Sequence, residues 1–354
     1  MAVSKILVGM SGGVDSAAAA YLLKKDGHRV LGVTLELYGH PRSGSSGAPD
    51  RDNATSRARD ICDRLGIEHL SVDARGLFDS EVVEPFVNEY RSGRTPNPCV
   101  ICNEKIKFPI LSSLADRHGC ASIATGHYAR LIRKSRGRLY LGRGADRGKD
   151  QSDFLYRVQI GILDRTLFPL GGLRKEEVTE LVAGIGLVPA GTAESQDTCF
   201  LAGRGLHRFL EERDVDRPGR VIGPDGETVG EHKGISYYTL GQRKGLGIAG
   251  DTPLYISSID ADRNVIELAP DGQLYVSRIL CRRIKLRSRK LEGTLTAKIR
   301  YGHRPAPVES VEIGKGSIIV SFCSPQRAAT PGQSLVLYSD GLVIGGGIIE
   351  KGIR

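Results

Sequence analysis

The sequence predicts an α/β protein: an N-terminal domain built on a doubly wound parallel sheet, then a small hairpin-rich domain and a C-terminal β-barrel. Three observations carry this expectation. Over the first two hundred residues, short apolar runs alternate with stretches of helical period, as happens when crossover helices link parallel strands. After about residue 205 that period fades, and glycines and turn pairs such as Asp225-Gly226 punctuate short strands instead. At 354 residues the chain is also long for a single core. The expected divisions are 1–204, 205–275 and 276–354.

Each element has its own reason. "KILVGM" (5–10) is the short apolar run of a buried strand, and "DSAAAAYLLKKDG" (15–27) is an alanine-rich helix closed by Gly27. "RVLGVTLEL" (29–37) reads as a second strand, "ATSRARDICDRLG" (54–66) as a second helix and "IEHLSV" (67–72) as a third strand. Between the second strand and second helix, "YGHPRSGSSGAPD" (38–50) is expected to be a mobile lid at the carboxyl end of the sheet. "TPNPCVICNEKIKF" (95–108) is a proline-rich turn entering a helix, and "ASIATGHYA" (121–129) is a strand ending in a loop. Farther on, "RPGRVIGPDGETVGEHKGISYYTLGQRKGLGI" (217–248) is dense in turn signals, and short strands continue to the end.

Composition removes several function classes. No segment approaches the roughly 20 apolar residues that cross a bilayer, so no membrane partner is expected. Seven cysteines in a chain able to build large cores need no disulfide scaffold, and a cytoplasmic protein with reduced thiols is expected. The formal charge of +9 points to a polyanionic partner, nucleic acid being one. Residues 282–304, "RRIKLRSRKLEGTLTAKIRYGHR", hold nine Lys and Arg against one Glu, alternating at strand period to lay a basic stripe on one sheet face.

The strongest chemical signal is "GMSGGVDSA" (9–17), where the first strand hands over to the first helix. Gly9, Met10, Ser11, Gly12, Gly13, Val14, Asp15 and Ser16 form an anion cradle. Adjacent glycines let backbone N–H groups approach a phosphate, Ser11 and Ser16 add hydroxyls, and the helix N-terminus adds its positive end. Asp15 is placed to hold Mg²⁺. The loop lacks the lysine of GxxxxGK[ST] and is not GxGxxG, so neither P-loop phosphoryl transfer nor dinucleotide binding is implied.

"SGGVDS" resembles the pyrophosphate (PP) loop of the ATP pyrophosphatases, which adenylate a carbonyl-type oxygen. "TPNPCVICNEKIKF", "ATGHYA", "KDQSDFL", "ESQDTCF", "TLGQRKGLGI", "KIRY" and "TPGQ...GGGII" then follow in the order found in the tRNA-specific 2-thiouridylase (MnmA) family, which this chain resembles from residue 5 to residue 350. The resemblance implies ATP and Mg²⁺ as cofactors, and tRNAs for Lys, Glu and Gln as substrates at their wobble uridine. A cysteine desulfurase or sulfur relay protein is implied as sulfur donor. Adenylation would turn a poor leaving oxygen into AMP, and a persulfide would deliver the sulfur.

By resemblance Cys102 is the nucleophile and Cys199 the persulfide carrier, a relay that ends in a disulfide. Cys102 lies near an expected helix start, where the dipole favours thiolate. Cys199 is flanked by polar Glu194, Ser195, Gln196 and Asp197, an odd setting for a core cysteine. Cys99 stands where some family members have Asp. With Cys102 and Cys199 it would offer three soft ligands to a [4Fe-4S] cluster holding an exchangeable sulfide, and this reading competes with the relay. No second CxxC exists for a four-cysteine zinc site.

Supporting positions also match family segments. Leu35 would cover the adenine, Gly126 would allow close nucleotide approach, and His127 would donate to phosphate. Asn97, Pro98 and Cys99 would surround the flipped target base. Lys149, Asp150 and Gln151 would contact tRNA, with Gln151 reading a base edge; the family has Tyr where this chain has Asp153. Arg243 and Lys244 lie in a glycine-rich loop suited to a backbone phosphate, while Arg300 and Tyr301 pair a cation with a stacking ring. Two other classes stay open: a PP-loop amide ligase acting on a small molecule, and a non-catalytic tRNA-binding homologue.

Overall fold

The computed structural model describes residues 3–38, 54–134, 137–188, 198–201, 205–213, 215–248, 252–287, 291 and 293–354. The expected lid beyond Tyr38 and the polar run Glu194 to Asp197 lie outside the described residues. By spatial proximity the chain divides into two compact units. One comprises residues 1–82, 99–200 and 341–343, and the other residues 83–98, 201–340 and 344–354.

The first unit is α/β, as the alternating pattern requires. Its five strands are all parallel, in the spatial order Glu68–Asp73, Arg29–Glu36, Lys5–Gly9, Ser122–Ala124, Thr166–Leu167. Leu7 lies opposite Leu31 on one side and Ile123 on the other, so the first strand is central, and Leu7 and Val8 are fully buried. The following strands of the chain go first to one side and then to the other. That places the topological switch at the carboxyl end of Lys5–Gly9, where doubly wound sheets open a crevice for ligands. The helix Val14–Lys25 packs closely because Ala17 to Ala20 present no side chain beyond Cβ, and all four are fully buried. The strand expected over 121–129 stops at Ala124, and an antiparallel hairpin, Ala129–Arg133 with Leu139–Arg143, follows the loop.

In the second unit a four-stranded sheet runs in the order Leu254–Asp260, Val265–Pro270, Gly219–Ile222, Thr228–His232, over a core of Val221, Ile235, Ile256, Ile266 and Leu268. The Asp225-Gly226 pair makes the expected turn, closed by the Gly223 N–H on the Glu227 carbonyl at 2.8 Å. The C-terminal strands Tyr275–Leu286, Leu295–Lys298, Ala306–Ile313, Ser317–Arg327, Ser334–Ser339 and Leu342–Ile353 form a closed six-stranded barrel, the first strand pairing with the last. Residues 83–98, although early in the chain, pack with this unit. The ring of Phe86, on the helix Glu84–Arg91, meets Phe209 edge-on at 6.3 Å, and the Thr95 N–H donates to the Pro331 carbonyl at 2.9 Å.

The basic stripe is interrupted rather than regular. Arg283 has φ of 49° at a break in register between Arg282 and Lys285, so Arg282 and Arg283 are both exposed instead of alternating. Among the described residues no helix is long and apolar enough to cross a membrane.

The barrel interior closes around Ile279, Cys281, Val320, Phe322, Leu335 and Leu337. Phe322 is 4% exposed, so Phe322→Ala is expected to cost about 3–5 kcal/mol through lost burial and a residual cavity. Ile313 is 44% exposed, and Ile313→Ala is expected to stay within about 0.5 kcal/mol. Urea midpoints of the two variants against the parent chain check both values.

Candidate active site

The glycine-rich turn sits at the switch point because backbone and side chains fix it there. The Met10 N–H donates to the Val33 carbonyl at 2.8 Å, and Thr34 Oγ1 donates to the Met10 carbonyl at 3.0 Å. Gly12 takes φ of +72°, a conformation costly for any residue with a Cβ. Ser16 is buried and works inside the loop: its hydroxyl donates to the Gly13 carbonyl at 3.0 Å and accepts the Ser11 N–H at 3.2 Å. Ser11, by contrast, is exposed at the mouth. Leu35, half-buried, lies two residues beyond Val33 at the same end of the sheet.

Asp15 is held by two residues that the sequence did not single out. Its Oδ1 accepts from Lys175 Nζ at 2.7 Å and from the Tyr128 hydroxyl at 2.8 Å. Tyr128 also joins this loop to the "KDQ" segment, since its backbone N–H donates to Gln151 Oε1 at 3.0 Å and its carbonyl accepts the Gln151 N–H at 2.9 Å. The Gln151 oxygen is therefore committed to the protein, which leaves its amide nitrogen as the end able to meet a base. Asp150 is 1% exposed and points inward, accepting from Arg143 Nε at 2.9 Å and from the Gly144 and Ser152 N–H groups, both at 3.1 Å. Lys149 alone of the three keeps a partly exposed cation. A Cβ at Gly126 would stand 2.7 Å from the Asp15 carbonyl carbon, so it is the close passage of two backbones that requires glycine there. His127 is kept neutral: burial first, and the Lys107 charge second, push its pKa well below the usual imidazole range. Its Nδ1 shares a hydrogen bond with Thr125 Oγ1 at 2.8 Å, and its ring packs 5.8 Å from that of Phe108.

The thiols lie on two chain segments. Cys99 and Cys102 occupy the short helix Pro98–Cys102, which passes through a π-turn, Asn103–Lys107, into the helix Phe108–Arg117. Burial of Asn103, Ile106 and Phe108 pins this turn. Its wider winding directs the Lys107 N–H onto the Cys102 sulfur. Cys199 is exposed, yet it is fixed by its neighbour Phe200, which is 2% exposed and packs edge-on against Phe78 at 5.7 Å. Cys99 and Cys102 both lie within electrostatic reach of Cys199, as does Lys107.

The expectation that a helix terminus lowers the Cys102 pKa is overturned. Cys102 does lie near the start of the helical run that begins at Pro98, but burial pushes the thiol up to about 11, outweighing Lys107 and the N–H contact. Although Cys199 is exposed as a residue, desolvation of its sulfur by the surrounding protein raises it to about 12, with Cys102 and Cys99 adding to the rise. Both values exceed the ordinary 9.0, so the folded protein retains protons there that the unfolded chain releases. That stabilisation is complete below about pH 8 and declines as pH climbs from 9 towards 12. Alkylation of Cys102 and Cys199 by iodoacetamide, followed by peptide mass spectrometry, is expected to be slow at pH 7 and to accelerate about tenfold per pH unit up to at least pH 10.

All seven cysteines are free thiols, and among the described residues no group of three His, Cys, Asp or Glu side chains is gathered closely enough to hold a metal ion. Cys99, Cys102 and Cys199 thus do not fit an iron–sulfur cluster in this arrangement, and the expected disulfide is not formed. For Mg²⁺ the donor set does fit, because that ion commonly uses one or two carboxylates together with substrate phosphates, and Asp15 presents a carboxylate beside the cradle.

The second unit carries the remaining positions. Asn97 is half-buried and Pro98 buried. Arg243 and Lys244 are exposed on a loop braced by Gln242, which accepts the Thr239 N–H at 3.0 Å and donates to the Lys244 carbonyl at 2.9 Å. Tyr301 is 42% exposed, with Lys298 Nζ 5.1 Å from its ring centre, and Arg300 beside it is half-buried.

Residues 4–203 match the family model described as tRNA methyl transferase HUP domain, 207–270 match a tRNA methyl transferase PRC-barrel domain, and 274–349 match an aminomethyltransferase β-barrel domain. A tRNA-specific 2-thiouridylase MnmA of Heliobacterium modesticaldum is 41% identical over 98% of this chain and 93% of its own. MnmA 1 of Caldanaerobacter subterraneus is 41% identical over 99% of both chains, and MnmA of Geotalea uraniireducens 39% over 99% of this chain and 96% of its own. A solved 4-thiouridine synthetase–RNA complex with bound ATP covers 60% of this chain and 51% of that one at 21% identity, with a TM-score of 0.37.

Proposed function

Because the chain belongs to the tRNA-specific 2-thiouridylase (MnmA) family, we propose that it replaces the C2 oxygen of the wobble uridine of tRNA by sulfur, using ATP bound at residues 9–16. The observation that carries this reading is the shared electrostatic neighbourhood of Cys102 and Cys199, within the same unit as the glycine-rich turn. The C2 oxygen attacks the α-phosphorus and pyrophosphate leaves. The outer sulfur of a Cys199 persulfide then attacks C2 and expels AMP. Cys102 next attacks the Cys199 sulfur, freeing thiolated uridine and forming a Cys102–Cys199 disulfide, which a dithiol must reduce before the next turnover. Mg²⁺, held by Asp15 and the phosphates, would neutralise charge on the departing pyrophosphate. A persulfide donor protein of the cysteine desulfurase or relay class reloads Cys199.

The raised thiol pKa values have a chemical consequence. A protonated Cys102 is a poor nucleophile, so it must lose its proton before it attacks the Cys199 sulfur. Residues 205–275 and 276–354 act as tRNA-gripping domains through Arg243, Lys244, Arg300 and Tyr301, with Asn97 and Pro98 beside the flipped base; tRNAs for Lys, Glu and Gln are the expected acceptors. The decisive test is mass spectrometry of tRNA nucleosides after incubation with ATP, Mg²⁺ and a persulfide donor. The reading requires a gain of one sulfur for one oxygen at the wobble uridine. ATP-to-pyrophosphate exchange without RNA would point instead to an amide ligase, and tRNA binding without sulfur incorporation to a non-catalytic homologue.

A further inference from the structure

We propose that Lys175 is a ligand of the ATP phosphates, held against Asp15 until nucleotide arrives. This rests on the reading of residues 9–16 as a nucleotide loop. That loop contains no cation of its own, in contrast to phosphate loops that carry a lysine. The structure supplies one from 160 residues farther along the chain: Lys175 Nζ lies 2.7 Å from Asp15 Oδ1, in the first turn of the helix that the loop feeds. The placement is built rather than incidental. Lys175 is the first residue of the helix Lys175–Gly184, its backbone N–H is fixed by Asp146 Oδ2 at 3.0 Å, and its ammonium lies 5.8 Å from the centre of the Tyr128 ring. Its side chain is 14% exposed and that of Asp15 30%, so the pair is shielded on most sides yet still reachable from solvent.

The charges explain the arrangement. Without nucleotide, Asp15 and Lys175 neutralise each other beside the positive end of the helix Val14–Lys25. A triphosphate brings several negative charges to the same point, and its Mg²⁺ competes with Lys175 for the Asp15 carboxylate. The long, flexible lysine stem lets the ammonium turn from carboxylate to phosphate over a short arc. Lys175 then stabilises charge on the pyrophosphate as the α-phosphorus bond breaks, which an adenosine- or AMP-binding group would not do.

Calorimetric titration of the full chain with ATP, inorganic pyrophosphate and AMP, with and without Mg²⁺, tests this. Lys175→Ala is expected to weaken ATP and pyrophosphate at least about tenfold in the absence of Mg²⁺, as loss of a charge-assisted contact implies. AMP should change by less than about threefold, Lys175→Arg should recover most of the loss, and the far-ultraviolet circular dichroism should be unaltered. The effect must also persist when Lys175→Ala is made in an Asp15→Asn background. Disappearance of the effect there would reduce Lys175 to a neutraliser of Asp15 and overturn the proposal, as would unchanged pyrophosphate affinity or an equal loss for AMP. Failure of the parent chain to bind ATP at all would overturn the nucleotide reading and this inference with it.

Discussion

Cys199→Ser is expected to abolish sulfur incorporation into tRNA, by at least about a thousandfold, since removal of a covalent carrier leaves no alternative route. The variant should still bind ATP and release pyrophosphate in a tRNA-dependent manner, because adenylation precedes the arrival of sulfur. Cys102→Ser should fail at a different step. A Cys199 persulfide can still attack the adenylated uridine, so a covalent link between tRNA and protein is expected to accumulate, visible as a shifted band that a dithiol dissolves. Cys99→Ser discriminates between relay and cluster: the relay predicts activity within a few-fold of the parent, whereas a cluster needing three thiols predicts a loss as deep as for Cys199. Retention of full thiolation by Cys199→Ser, or by Cys102→Ser in a single turnover without dithiol, would end the assignment.

Gly12→Ala is expected to remove ATP binding. At φ of +72° an alanine is strained by about 1–2 kcal/mol before any contact is considered. The added Cβ would also stand 2.6 Å from the Ala54 carbonyl oxygen and 3.0 Å from Arg57 Cβ, so it meets a helix end that is part of the sheet's cover. Relief of this overlap requires the loop to shift, which displaces its N–H groups. A fall in ATP affinity of at least about a hundredfold follows, read as loss of the rise in unfolding temperature that ATP gives the parent chain. An unchanged thermal shift would show that the loop tolerates displacement and that phosphate binding rests on other groups.

Much of this site is legible in one dimension because its parts are local. The strand, glycine turn and helix of residues 5–25 announce themselves through an apolar run, adjacent glycines and an alanine-rich period, all within a single supersecondary unit. Lys175 carried no such mark: in "LRKEEV" it is one more cation at a helix start, and only the packing of its helix against Val14–Lys25 brings it to Asp15. The paired hydrogen bonds between Tyr128 and Gln151, one to the Gln151 side chain and one between backbones, were equally hidden, because hydrogen bonds between loops have no compositional signature. The rise of the Cys102 pKa has no mark in the sequence because desolvation depends on tertiary packing: Cys102 is 7% exposed, beside a π-turn whose Ile106 is fully buried. Asp150, expected with Lys149 and Gln151 to contact tRNA, is buried and serves as the internal anchor of its loop.

The membership of residues 83–98 in the second unit has a consequence for biosynthesis. Phe86, stacked edge-on with Tyr90, is completed by Phe209, and Thr95 by the Pro331 carbonyl, yet this segment leaves the ribosome long before those partners. At about 5–20 residues per second, the helix Glu84–Arg91 waits of order ten seconds with its aromatic face unpartnered. That interval is a window for chaperone capture, and a stalled or prematurely terminated nascent chain would display the same sticky surface permanently.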